Sequence, residues 1–154
     1  MQSVEIDFLG HASFRFTTSD GHITYFDPWL DDNPTCTEAL ADITRADVVC
    51  VSHGHIDHLG NAIDLVQKTG AALIASPEVA GYAATYGIGY DTDSVPLNIG
   101  GSVKLGPVTY TMVRADHSTG LHGAAYRDGT AYAEPDGSVC GIVMTFDEGQ
   151  IGRA

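Results

Sequence analysis

The segment Val51-Ser52-His53-Gly54-His55-Ile56-Asp57-His58-Leu59-Gly60 packs three imidazoles and one carboxylate into positions 53–58. Imidazole nitrogen and carboxylate oxygen are the donors that divalent zinc, manganese and iron prefer. His53 and His55 lie two apart, so in an extended loop both can reach one ion. Asp57 and His58 are adjacent, their side chains diverge, and they are better placed for a second ion. Two-metal sites hold their ions roughly 3.5–4 Å apart, so one loop can seed a site for one or two cations. Asp57, the carboxylate of the cluster, is also the candidate catalytic residue.

Further donors must come from elsewhere in the chain. His117, in Val113-Arg114-Ala115-Asp116-His117-Ser118, follows a run that reads as a strand. Ligands often sit at strand ends, on loops held by a rigid scaffold, so His117 is expected to complete the first site with His53 and His55. His11, in the turn Leu9-Gly10-His11-Ala12-Ser13, and Asp27, before Pro28, are expected to support the ligands. A ligating histidine usually gives its other N–H to a carboxylate or carbonyl, and Asp27 can accept it. His22 and His122 read as polar surface residues.

Short elements must position these groups. Val4–Phe8 and Ser13–Thr17 alternate with period two, and Ile23–Phe26 follows the turn at Ser19-Asp20-Gly21. Together they predict an antiparallel meander. A short helix is expected over Thr37–Ile43, after the loop Trp29–Thr35. Asp47–Ser52 is nearly all apolar and reads as a strand covered on both faces, feeding the histidine loop. Asn61 is expected to cap a helix through Lys68, with Gly70 just past its end. Ala71–Ala75 reads as a strand, and Ser76-Pro77-Glu78 opens a second helix reaching Tyr86-Gly87. Strands are expected over Ser94–Ile99, Gly101–Leu105, Val108–Val113 and Gly141–Phe146, then a turn at Asp147-Glu148-Gly149. Strands with helices inserted between some of them describe an α/β sandwich.

The chain has 154 residues, enough for one domain with a real core. Its net charge of −13 argues against nucleic acid and against anionic membrane surfaces. The expected partner is therefore a small-molecule substrate. No leader is read at Met1-Gln2-Ser3-Val4-Glu5, and no apolar run is long enough to cross a bilayer. Cys36, Cys50 and Cys140 fall at unrelated spacings and form no CxxC pair. They fit a reducing, cytoplasmic setting.

Four segments, Leu9-Gly10-His11-Ala12-Ser13-Phe14, Asp27-Pro28-Trp29, Ser52 to His58 and Ala115-Asp116-His117-Ser118, carry a resemblance. In type and order they resemble the metallo-β-lactamase-fold hydrolase superfamily, and within it the small hydrolases grouped with L-ascorbate-6-phosphate lactonase. The resemblance implies an α/β fold, an αββα sandwich with its site at one edge of two sheets. It implies His53, His55 and His117 on one metal and Asp57 and His58 on the other, zinc first, with manganese or iron as alternatives. A hydroxide held there would attack a phosphoester, lactone or amide centre. The family also carries a Gly-Asp-Thr-type strand with a bridging aspartate, and a last histidine. No Asp or His follows Glu148 here. The expectation is thus one domain, 1–154, truncated on its C-terminal side. The alternative is a non-catalytic metal-binding relative that completes its fold as a homo-oligomer or with a partner.

Overall fold

In the computed structural model of the chain, residues 3–118, 138–146 and 149–153 are described. His122, expected at the surface, and residues 147–148 of the expected turn lie outside them. The chain opens as the expected meander, β1 (Val4–Gly10), β2 (Ser13–Thr18) and β3 (Ile23–Phe26), paired antiparallel in sequence order. β4 (Val48–Cys50), β5 (Ala72–Ala75) and β6 (Ser94–Pro96) then add in parallel, giving one six-stranded sheet ordered β1-β2-β3-β4-β5-β6. Parallel neighbours need crossovers: helices α2 (Ala62–Thr69) and α3 (Pro77–Ala84) lie in those from β4 to β5 and from β5 to β6, while residues 27–47 make the one from β3 to β4. A second, antiparallel sheet follows, ordered β10-β9-β8-β7, from β7 (Ser102–Leu105), β8 (Val108–Arg114), β9 (Cys140–Phe146) and β10 (Gly149–Arg153).

Alternation along the central strands builds two cores. Val49, Val51, Leu73 and Ala75 face the helices, against Leu65, Val66, Val79 and Ala83. Val48, Cys50 and Ile74 point the other way, against Tyr110, Ile142 and Met144 of the second sheet. The described layers are therefore helices, sheet and sheet. No helix covers the outer face of the second sheet among the described residues, so the expected fourth layer is not seen there. That face is half-exposed and threonine-bearing, with Thr109, Thr111 and Thr145.

Several elements differ from expectation. Thr37–Ile43 yields only a 3-10 turn at Leu40–Asp42, because the segment is tied by its polar groups: Asp31 accepts the Leu40 N–H and Glu38 pairs with Arg15. Asn61 stands where a cap was expected, but its side chain accepts the N–H groups of Leu30 and Asp31 instead. Gly70 does close α2 in the left-handed conformation, and Ser76 does cap α3 by accepting the Val79 N–H. His22 is not a free surface group: it packs against Gly106, and its ring bonds the Tyr110 hydroxyl at 3.1 Å. Ile6 and Phe8 stay 51% and 65% exposed, since β1 is the edge of the larger sheet and the four-stranded sheet leaves it largely uncovered.

This burial difference sets a stability contrast. Phe16→Ala, in the buried layer between the sheets, should cost about 3–5 kcal/mol. Phe8→Ala should stay within ~0.5 kcal/mol in the isolated chain. Urea unfolding of both variants checks this, and equal losses contradict the assignment of the two faces.

Candidate metal centre

β4 runs into the histidine loop, and the loop is anchored before it begins. Asp27 lies 1% exposed at the end of β3, and its N–H bonds the Cys50 carbonyl. Its carboxylate accepts the Ser52 N–H at 2.7 Å, the Ser52 hydroxyl at 2.7 Å and the His58 ring at Nδ1 at 2.8 Å. With Nδ1 occupied, His58 offers Nε2 to whatever lies in front of it. Ser52 works as a relay. Its single proton goes to Asp27, so its oxygen accepts from His53 Nδ1 at 2.9 Å. That fixes the His53 tautomer and leaves its Nε2 lone pair facing the site. Ser52 is a site residue that spacing alone does not single out; the signal for it is a hydroxyl directly before the first histidine of the cluster, after a run otherwise apolar.

A short helix, α1 (Ile56–Leu59), interrupts the loop, which the sequence reading did not separate from it. His55 is extended at its start, so His53 and His55 share one side while Asp57 and His58 sit on the first helical turn. Gly60 ends it at φ 40, and a Cβ there would stand 2.6 Å from Trp29 Cα and 2.7 Å from the Pro28 carbonyl. The loop after Asp27 thus lies directly on the end of α1, and Asn61 stitches it down through its N–H bond to Pro28. Ser13 holds the same loop from β2, donating to the Asp27 carbonyl at 2.6 Å and accepting the Trp29 N–H at 3.1 Å.

The structure brings every candidate donor together. His53 Nε2 and His55 Nδ1 stand 3.0 Å apart. The His117 ring lies 5.0 Å from the His53 ring and 5.2 Å from the His55 ring, centroid to centroid. These three offer ligand atoms all within 4.8 Å of one another. Two nitrogens on a tetrahedral zinc at 2.0–2.1 Å sit about 3.4 Å apart, so the donor set fits a divalent cation with small adjustment. His11, Asp57 and His58 form a second group of the same compactness, with His11 Nε2 2.9 Å from Asp57 Oδ2. His11 and Asp27 both hold positive φ, 55° and 45°. Each costs roughly 1–2 kcal/mol for an L-residue, and strain of this kind gathers at functional sites.

Charge follows the same geometry. Burial, with His58, His55 and His117 alongside, pushes the His53 imidazolium down to about 3, so at neutral pH the ring is uncharged and can ligate. Burial pushes the Asp57 carboxyl up, but its own backbone N–H and the neighbouring His58, His11 and His55 outweigh this and hold it below the usual range. A cavity of about 250 Å³ opens over the site, lined by Phe26, Ser52, His53, His58, His117 and Val139 among others.

Comparison with known proteins agrees with this fold. The model of the β-lactamase superfamily domain matches residues 22–151, and the chain belongs to that family. Its fold is accordingly the α/β metallo-β-lactamase fold. Among curated relatives, a UPF0173 metal-dependent hydrolase of Rubrobacter xylanophilus is 38% identical over 145 residues, 94% of this chain and 56% of that protein. One of Koribacter versatilis is 33% identical over 147 residues, 96% of this chain and 59% of that protein. The chain thus spans a little over half the length of these relatives. Igni18, described as a novel metallo hydrolase from Ignicoccus hospitalis, superposes with a TM-score of 0.73 at 25% identity, covering 96% of this chain and 58% of that one. CmlA, a diiron β-hydroxylase from Streptomyces venezuelae, shares the fold at a TM-score of 0.65 and 19% identity, over 99% of this chain and 29% of that one. Among the described residues no helix is long and apolar enough to cross a membrane.

Two outcomes follow from the anchor. Asp27→Asn keeps the shape but weakens its acceptance from Ser52 and His58, and should lower cation affinity about 10–100-fold by titration calorimetry; an unchanged affinity contradicts the anchoring. The His53 shift also sets a pH dependence in the cation-free chain. The folded pKa lies below the unfolded value, so its contribution is complete above pH 6.5 and is lost as pH falls toward about 3. Denaturation midpoints between pH 7 and 4 should fall less steeply in His53→Gln than in the parent; parallel curves contradict it.

Proposed function

We propose that this chain carries the catalytic metal site of a metal-dependent hydrolase, with a divalent cation held by His53, His55 and His117. The observation that supports the reading is the meeting of imidazoles from two distant parts of the chain at the mouth of one cavity. Three histidines with an open position are a catalytic zinc arrangement, although a His/Asp environment also accepts manganese and iron. A cation held there would supply Lewis acidity, polarising a phosphoryl or carbonyl oxygen and lowering the pKa of a bound water to about 7.

The chain's own groups do the rest. Ser52 keeps the His53 lone pair aimed inward, and Asp27 keeps His58 Nε2 turned to the site. Asp57, held ionised, can take a proton at its carboxylate from water entering beside His58. Phe26, Ala115 and Val139 give the cavity an apolar wall for a small substrate. The substrate class that suits this chemistry is a phosphoester, lactone or amide centre. A cytoplasmic setting fits the absence of any disulfide among Cys36, Cys50 and Cys140.

A second reading is favoured by Ile6 and Phe8: a non-catalytic metal-binding relative whose exposed β1 face is buried against a second copy. Chelated protein reloaded with zinc or manganese should hydrolyse bis(p-nitrophenyl) phosphate or a simple lactone. His53→Ala and His117→Ala should each lower kcat/KM by at least ~100-fold. An inert, metal-loaded dimer in light scattering supports the second reading; an active monomer rejects it.

A further inference from the structure

We propose that His11 is a metal ligand, the third donor, with Asp57 and His58, of a second divalent-cation site beside the first. This rests on the hydrolase reading and goes beyond it. The family resemblance places Asp57 and His58 at a second cation. His11 brings the set to two imidazoles and one carboxylate, a combination that zinc, iron and manganese accept with open positions left.

Each donor is aimed by something other than its neighbour. His58 has Nδ1 engaged by Asp27, so Nε2 faces Asp57, 3.9 Å from its Oδ2. Asp57 is set on the first turn of α1. His11 is delivered by the β1–β2 turn from the opposite side of the site. Gly10, at φ 97, lets that turn tuck under the Asn33–Thr35 loop, where a Cβ would stand 2.3 Å from Thr35 Oγ1. His11 itself holds φ 55, and its ring rests edge-on against Trp29, 5.5 Å between centroids, and against His58 at 5.3 Å. A turn strained in this way and braced on an aromatic ring fixes one imidazole direction.

The position also leaves room for a ligand exchange. The side chains of His11 and Asp57 are 43% and 37% exposed, so the remaining positions of the cation face solvent and the approaching substrate. His11 Nε2 and Asp57 Oδ2 lie 2.9 Å apart, and one cation about 2.0–2.2 Å from each would fit between them with little movement. The group is distinct from the His53, His55 and His117 set, yet the His53 and His58 rings lie 4.1 Å apart, so the two cations are neighbours.

Cobalt titration followed by optical spectroscopy and elemental analysis separates the two sites. The parent chain should hold two cobalt ions, and His11→Gly should hold one, with the affinity of the lost ion down at least ~10-fold. Glycine accepts the positive φ, so the turn is retained; His11→Asn, also tolerant of it, should give the same count. His117→Ala should lose the other ion and keep the one held by His11. Two ions of unchanged affinity in His11→Gly overturn the proposal and leave His11 as a hydrogen-bond partner of Asp57. A parent with one ion, lost in His53→Ala but not in His11→Gly, overturns it while the hydrolase reading stands. A parent with no ion overturns both.

Discussion

One buried carboxylate organises this site. Asp27 carries a charge-bearing group into a position with 1% exposure, which is tolerable only because every acceptance it makes is used. Its two oxygens take the Ser52 N–H, the Ser52 hydroxyl and His58 Nδ1, while its backbone joins β3 to β4 and to Ser13. Two different histidines thereby receive their orientation from a single residue, one directly and one through a hydroxyl. Such outer partners hold ring tautomers and directions that the ligands cannot fix for themselves.

The scaffold explains why that control is possible. Three parallel additions to an antiparallel meander place the end of β4 in the middle of the six-stranded sheet, next to the ends of β3 and β5. Val48, Val49, Cys50 and Val51 are fully buried between helices and the second sheet, so the strand that feeds the loop cannot shift. β8 leaves the second sheet and delivers His117 from across the interlayer core. Tyr110 ties the layers directly, its hydroxyl meeting Thr24 and His22. The two sheets and the site are therefore one packing problem: how the second sheet packs on the first decides where β8 delivers His117 relative to the loop.

Much of this was legible in the residues. The meander, the buried strand before the loop, the Gly70 and Ser76 helix signals and the set of donors follow from spacing and residue type. Ser13 and Ser52 were not assigned, and Asn61 was read as a helix cap, because the partners their side chains meet are brought close only by the fold. The Thr37–Ile43 segment shows the same limit, with Asp31 and Arg15 overriding local helical preference. Exposure at Ile6 and Phe8 was equally hidden: period-two alternation says which side of a strand is apolar, and only the extent of the facing sheet says whether that side is covered. For His11 the residue was marked but its place was not, since its reach depends on the strained turn at Gly10 and on Trp29.

Crystals grown with zinc and measured across its absorption edge test the central claim most directly. An anomalous peak about 2.0–2.1 Å from ring nitrogens of His53, His55 and His117 is the expected result. Density at the edge wavelength that avoids all three rings, with His117 turned away from the loop, contradicts it.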